Sequence, residues 1–502
     1  MPPTVGFALG SGRRLRRAAL VALLAAPILG PEVGRAAEPA SVRLLGDAAV
    51  PAGRCAGYTV EVSPPKPGTE VLLQRRRAGR WVTIARRSLG GDSTATFRVC
   101  YGWDDLGTVR LRARWPQQDQ ANLAGSSRPR EVRVVRALWM RRIDRVTSGL
   151  AVGVSVREEG RPLYRRADRR RRVPASNEKL LLAMALLDEL GSGEGLRTVA
   201  AARGVADGVV GNLWILGRGD PGMGPARMAR LGRAIEEAGI RRVRGSVIGS
   251  TSFFARDWRA PGWRPYFPRT EVPLPTALVW KGNRAGGRHV RDPERRAARG
   301  LTRVLERRGI PVGGRPEMGP APGGLANVAS VGSPAVERLL ETMARHSQNF
   351  TAEVLGKRLG VERGGPPGTI AKGAAAIEAW ASRRRVAVRA HDGSGLSYRN
   401  RVSPLGLVRL LGAAEREPWG PLLLDILPAG GEGTLGSRLE GVPVRAKTGT
   451  LTRISALSGF VWLKRSGTWA EFSILSRGLS KDRAVAIENA VVRLVWRNAA
   501  AM

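Results

Sequence analysis

A chain of 502 residues exceeds what one hydrophobic core holds and points to two to four domains. Its 64 glycines and 33 prolines are spread without a collagen period, low-complexity block or internal repeat, which excludes fibrous and repeat architectures. A net charge of +41 attracts polyanions such as anionic wall polymers or lipid headgroups, or else decorates a solvated surface; no nucleic acid is expected as a partner, because aromatics are 5% and no nucleic-acid motif is present.

The first 36 residues read as a signal peptide. Arg13-Arg14-Leu15-Arg16-Arg17 supplies a basic region, and the apolar stretch 18–30 is too short to span a bilayer comfortably. Gly34 and Ala36 suit a cut after Ala36, which would remove five Arg and one Glu and leave +37. An uncleaved, membrane-associated anchor is the alternative, and the arginine pairs permit a twin-arginine route. The expected location is extracytoplasmic, in the periplasm or cell wall. Cysteine use agrees: Cys55 and Cys100 are expected to pair in an oxidising compartment. His289, His346 and His391 are too scattered for a zinc site and leave little for a Ser-His-Asp triad. No metal or cofactor is expected.

Residues 41–138 read as all-β. Short runs such as Tyr58-Thr59-Val60-Glu61-Val62 and Thr94-Ala95-Thr96-Phe97-Arg98-Val99 alternate apolar and polar, with turn residues between them. The spacing predicts an immunoglobulin-like or fibronectin-like sandwich without a catalytic constellation. Residues 119–131 read as a loop or hinge, and Val132–Val135 as a last strand. The character changes near 139, where a mixed α/β domain is expected. Residues 150–156 read as a strand returning through Pro162-Leu163-Tyr164. The run Arg169 to Arg172 reads as exposed and able to steer an acidic substrate.

Pro174-Ala175-Ser176-Asn177-Glu178-Lys179 opens an apolar helix that ends near Gly191. Ser176 and Lys179 fall one turn apart on one face. A serine hydroxyl needs a base to become a nucleophile, and a lysine serves once burial or a second cation lowers its pKa. Arginine stays protonated and cannot. Only eight lysines stand among the 83 basic residues, so each retained lysine is informative. The competing reading of Ser176 is a helix N-cap. The helix is expected to bury Leu180, Leu181, Met184 and Leu187.

Residues 201–325 read as an α/β insertion, with a strand ending in a tight turn at Gly217–Pro221 and amphipathic helices over 225–240 and 293–309. Ser347-Gln348-Asn349 follows a helical stretch 333–345. Ser347 can relay a proton and Asn349 can donate to a substrate carbonyl, while Glu353 reads as a structural partner. Lys447-Thr448-Gly449-Thr450 lies on a strand, with strands 456–463 and 469–475 after it and an apolar-faced helix over 482–498. Lys447 offers charge to a substrate carboxylate and a means of lowering the Lys179 pKa. Thr448 and Thr450 offer hydroxyls, and Gly449 permits close backbone approach.

Ser-x-x-Lys, Ser-x-Asn and Lys-Thr-Gly in this order are the signature of penicillin-recognising serine hydrolases. With Gly217-x-Gly219-Asp220-Pro221, Asp392-Gly393-Ser394-Gly395-Leu396-Ser397 and Gly433-Thr434-Leu435, the chain over about 140–500 resembles the D-alanyl-D-alanine carboxypeptidase/endopeptidase family of penicillin-binding protein 4 type. Ser347 lies 171 positions after Ser176, a gap that fits this family's inserted domains and not the shorter gap of serine β-lactamases. The resemblance implies a penicillin-binding domain: antiparallel sheet, flanking helices, α/β insertion. It implies Ser176 as nucleophile on D-Ala-D-Ala stem peptides or cross-links of peptidoglycan, Lys179 as base, and Ser347 as proton relay assisted by Lys447. Asn349 would hold the substrate, the N–H groups of Ser176 and Thr450 would form the oxyanion hole, and Thr448 and Thr450 would bind the terminal carboxylate. β-Lactams would acylate the same serine. Two features depart from the family: a shorter insertion and the extra N-terminal β unit. A β-lactamase or esterase on this scaffold, or an inactive wall-binding protein, are the competing readings.

Overall fold

The computed structural model describes residues 38–116, 122–193 and 195–500. The expected signal over 1–36 lies outside them. Among the described residues no helix is long and apolar enough to cross a membrane.

The N-terminal region forms two sheets. One pairs Ser41–Gly46, Arg54–Ser63 and Thr94–Tyr101 in antiparallel order. The other runs Ala49–Pro51, Arg130–Val135, Gly107–Trp115, Glu70–Arg77, Arg80–Ser88. Strict alternation decides what faces inward: Ala95, Phe97, Val99 and Tyr101 are buried while the residues between them are not. They share a core with Tyr58, Leu73, Val109, Leu111 and Val132 from both sheets. The buried hydroxyls of Tyr58 and Tyr101 bond to each other at 2.8 Å. Cys55 and Cys100 face each other on adjacent strands and form the expected disulfide, which staples one sheet instead of bridging the two. The segment expected to be a loop is shorter than read. Gly125–Ser126 already pairs with the Gly107–Trp115 strand, and Arg130–Val135 is strand throughout.

A third sheet, antiparallel throughout, is the platform for the site. Its order is Arg161–Arg166, Val152–Glu158, Thr468–Arg477, Ile454–Leu463, Val444–Leu451. The first strands of this region thus pair with the last, closing the sheet across three hundred residues of chain. Period-two alternation divides its faces. Leu457, Val461 and Ile474 join the core under the C-terminal helix Lys481–Asn498, whereas Ala456, Phe460 and Leu475 join the core of the helical region. That region gathers Val336–His346, Asn349–Gly364 and Ile370–Arg383 around the helix Glu178–Leu190. Being surrounded, this central helix buries every residue from Glu178 to Leu187, not only the single apolar face that sequence periodicity suggested. Gly191, at φ +71°, ends it.

A fourth sheet, ordered Glu317–Gly319, Val247–Ser250, Leu213–Gly217, Gly195–Ala202, Ala326–Ala335, carries the helices Pro225–Glu237 and Pro293–Arg307. Its outgoing and returning strands pair from Gly195↔Ala335 to Ala202↔Ala326, so the chain leaves and rejoins the helical region at one place. The arginine run is exposed only over Arg169–Arg171. Arg172 is buried, its backbone bridged to Val402 and its guanidinium donating to the Ala151 carbonyl.

Candidate active site

Ser176 sits in the tight turn Ala175–Asn177 that leads into the central helix, and its side chain caps nothing. The N-cap reading of this serine therefore fails. The turn is wedged between two glycines. Gly395 has φ +82°, and a Cβ there would lie 1.9 Å from the Ala175 carbonyl oxygen. A Cβ on Gly449 would lie 2.9 Å from both the Pro174 oxygen and the Ser176 nitrogen. Asn177 ties the turn to the sheet by donating from Nδ2 to the Lys447 carbonyl at 2.6 Å.

Lys179 is 1% exposed, one helical turn beyond the serine. Its Nζ lies 3.0 Å from Ser176 Oγ, 2.9 Å from Asn349 Oδ1 and 2.6 Å from the Ser394 carbonyl oxygen. Two of these partners can only accept. A neutral amine has two N–H bonds for them and one lone pair left, and the remaining partner, the Ser176 hydroxyl, is the one able to donate into it. Asn349 is held in the required orientation because its Nδ2 reaches Glu271 Oε2 at 3.4 Å. Burial lowers the Lys179 pKa to about 8, against the opposing pull of Asp392, Glu353, Glu178 and Glu271. Of the two causes open from sequence, burial or a second cation, burial is the larger.

Lys447 is fully buried and its Nζ donates to the Thr448 carbonyl at 2.9 Å. Burial pushes its pKa well below the lysine range, and the charge of Lys179 adds to this. Thr448 donates to Thr434 Oγ1 at 2.8 Å, so the expected Gly433-Thr434-Leu435 segment braces the strand. Ser347 caps the helix Val336–His346 at φ +53°, an uncommon conformation for a residue with a side chain, two positions before Asn349.

Further residues hold the site, among them Glu353, the structural partner expected from sequence. Glu353 Oε1 accepts the N–H groups of Gly393 and Ser394 at 3.1 and 2.8 Å, which fixes the carbonyl aimed at Lys179. Burial, with Asp392 adding, raises the Glu353 pKa to about 8. Asp392 gathers the rest of that loop: it accepts from Gly395 N at 3.0 Å, Ser397 N at 2.7 Å, Asn400 Nδ2 at 2.7 Å and Trp263 Nε1 at 2.6 Å. The signal was present as Asp-Gly-Ser-Gly, a turn sequence, but nothing local says which side chain the turn serves. Glu178 is fully buried with both carboxylate oxygens unpartnered among the described residues. Burial and the neighbouring Asp392, Glu378 and Glu353 raise its pKa well above the ordinary carboxylate value, which favours the uncharged acid.

A serine–lysine pair set between an antiparallel sheet and a helical cluster, with a second buried lysine on the edge strand, defines a serine hydrolase of the penicillin-recognising class. The sequence profile of the D-Ala-D-Ala carboxypeptidase 3 (S13) family matches residues 141–267 and 279–498, and the chain belongs to that family. It is 28% identical over 447 residues to the D-alanyl-D-alanine carboxypeptidase of Actinomadura sp. (strain R39), covering 70% of this chain and 82% of that one. It is 30% identical over 352 residues to carboxypeptidase Rv3627c of Mycobacterium tuberculosis, covering 63% and 74%. In fold it is similar to penicillin binding protein 4 (dacB) from Haemophilus influenzae, with TM-score 0.64 and 20% identity over 71% of this chain and 99% of that one.

Proposed function

We propose that this family member is a serine D-Ala-D-Ala carboxypeptidase/endopeptidase acting on peptidoglycan, with Ser176 as nucleophile and Lys179 as its base. The observation that carries the assignment is the Lys179 amine, whose one uncommitted lone pair faces Ser176 Oγ at 3.0 Å. Ser176 Oγ attacks the carbonyl of the scissile D-Ala bond while its proton passes to Lys179 Nζ. The N–H groups of Ser176 and Thr450 hold the oxyanion, each such donor being worth about 3 kcal/mol. Collapse breaks the C–N bond, and the leaving amine takes a proton through Ser347 with Lys447 assisting. Water, deprotonated by Lys179, then attacks the acyl ester and frees Ser176. Thr448, Gly449 and Thr450 receive the terminal carboxylate along the edge strand. Asn349 orients Lys179 and borders the substrate.

The same serine is proposed to be acylated by β-lactams. In support, a solved structure of Haemophilus influenzae penicillin binding protein 4 in complex with a β-lactam aligns with this chain at TM-score 0.58. The proposed organisation is a signal over 1–36, an immunoglobulin-like sandwich over 41–138, catalytic segments 139–200 and 326–502, and an insertion over 201–325. Export to the periplasm or cell wall follows from the family's substrate, and the Cys55–Cys100 disulfide supports it.

Fluorescent penicillin tests the assignment. Stable covalent labelling of the intact chain is expected, lost in Ser176→Ala with no change in thermal unfolding. Rapid turnover of the label would make the protein a β-lactamase, and no labelling of folded protein would make it a binding module.

A further inference from the structure

The side-chain cluster left unused by this chemistry is basic. Arg171, Arg389, His391, Arg399 and Arg401 line one open cavity of about 460 Å³. Two short backbone bridges build it. Arg389 and Arg401 exchange N–H···O bonds of 2.8 and 2.7 Å, and Arg172 pairs with Val402. Arg389 and Arg401 are antiparallel partners, so their side chains leave the backbone on the same side. Like charges in that relation repel. Arg401 is half-buried; burial lowers its pKa first, and the charges of Arg477 and Arg171 lower it further. Among the described residues none of Arg171, Arg389, Arg399 or Arg401 has a carboxylate within ion-pair distance, while Arg401 Nη1 donates to the carbonyls of Tyr398 and Asn400 at 2.7 and 2.8 Å. The acids felt at His391 are Glu378 and Asp392. Both are engaged inside the fold, Glu378 by the Ala390 N–H at 2.8 Å and Asp392 by the catalytic loop.

We propose that this cavity binds a phosphoryl anion, either free phosphate or a phosphate-ester headgroup. Three exposed arginines and the partly engaged Arg401 around one cavity call for more than one negative charge, and a guanidinium fork matches two oxygens of the acceptor. A phosphoryl group presents oxygens to forks arriving from several directions, whereas a carboxylate presents two in one plane. The occupant would border the catalytic loop. The His391 N–H donates to Asn400 Oδ1 at 2.8 Å, and Asn400 in turn donates to Asp392. The proposal does not depend on the hydrolase assignment.

The test uses the full chain at constant ionic strength. Inorganic phosphate is titrated calorimetrically, and vesicles of phosphatidylglycerol or phosphatidylcholine are co-sedimented with the protein. R171Q/R389Q removes two exposed guanidinium groups outside the catalytic set, R399Q is the second variant, and R76Q/R77Q on the N-terminal sheet controls for general charge. Thermal unfolding reports that each variant is folded. Saturable binding of either probe is expected, weakened about tenfold or more in R171Q/R389Q and spared in R76Q/R77Q. Phosphate binding identifies the free ion as the ligand, and binding of phosphatidylglycerol vesicles alone identifies the headgroup. Absence of saturable binding to both probes, or an equal loss in R76Q/R77Q, overturns the proposal.

Discussion

The N-terminal two-sheet unit and the catalytic cleft treat buried polarity in opposite ways. In the former the buried polar side chains are Gln74, Ser93 and Ser127, all neutral and hydrogen-bonded, and a disulfide adds a covalent tie. Around Ser176 the chain instead buries Lys179, Lys447, Glu178, Glu353 and Asp392. Burying ionisable groups costs stability unless they are paired or neutralised. The cleft does both. Asp392 is saturated with donors, while Lys179, Lys447, Glu178 and Glu353 have their pKa values moved toward the neutral form. One region is built to persist, and the other holds titratable groups away from water, as the proposed lysine base requires.

Substitutions that touch one region and spare the other sharpen this contrast. Lys179→Arg keeps a cation but removes the base, and acylation by penicillin is expected to fall roughly 10³-fold or more while the fold is retained. Retention of activity would break the base assignment. Gly395→Ala drives a methyl into the Ala175 carbonyl and shifts the nucleophile turn, with a loss on the order of 10²-fold in acylation rate. A fall in thermal stability without a fall in rate would mean that the turn tolerates the shift. Cys55→Ser/Cys100→Ser is expected to destabilise the N-terminal unit by about 2–4 kcal/mol in denaturant titration and leave acylation unchanged. A large rate loss would show that the two regions are coupled. Glu178→Gln swaps a buried acid whose neutral form burial favours for an uncharged amide of the same shape, so the rate should stay within about threefold. A larger drop would mean that Glu178 carries charge.

Much of the site was legible because its parts are short and chemically marked. Ser176, Lys179, Asn349 and Lys447 stand in fixed motifs, and Lys179 meets Ser176 and Asn349 directly. Lysine scarcity in an arginine-rich chain helped. The carbonyl of Ser394 was not legible as a partner, since any residue supplies a carbonyl and only the fold aims it. Nor was the burial of Glu178 and Arg172, which depends on neighbours distant in sequence. The alternating strands of the N-terminal unit were read directly from side-chain period. The helix Asn349–Gly364 was missed because its burial on several sides weakens the one-faced pattern that marks a surface helix, and Ile370–Arg383 because its buried face is largely glycine and alanine, with alanines exposed on the other side as well. The insertion's paired stems were likewise unmarked, for strand partners more than a hundred residues apart leave no local trace.

The central claim is that Lys179 works as a free amine. Its most direct test is the pH dependence of the second-order acylation rate at limiting penicillin. Deprotonation above about 8 creates the active form, so the rate should rise with pH, bend near 8 and level off beyond it. A rate independent of pH between 6 and 9, with labelling still dependent on Ser176, would contradict the account.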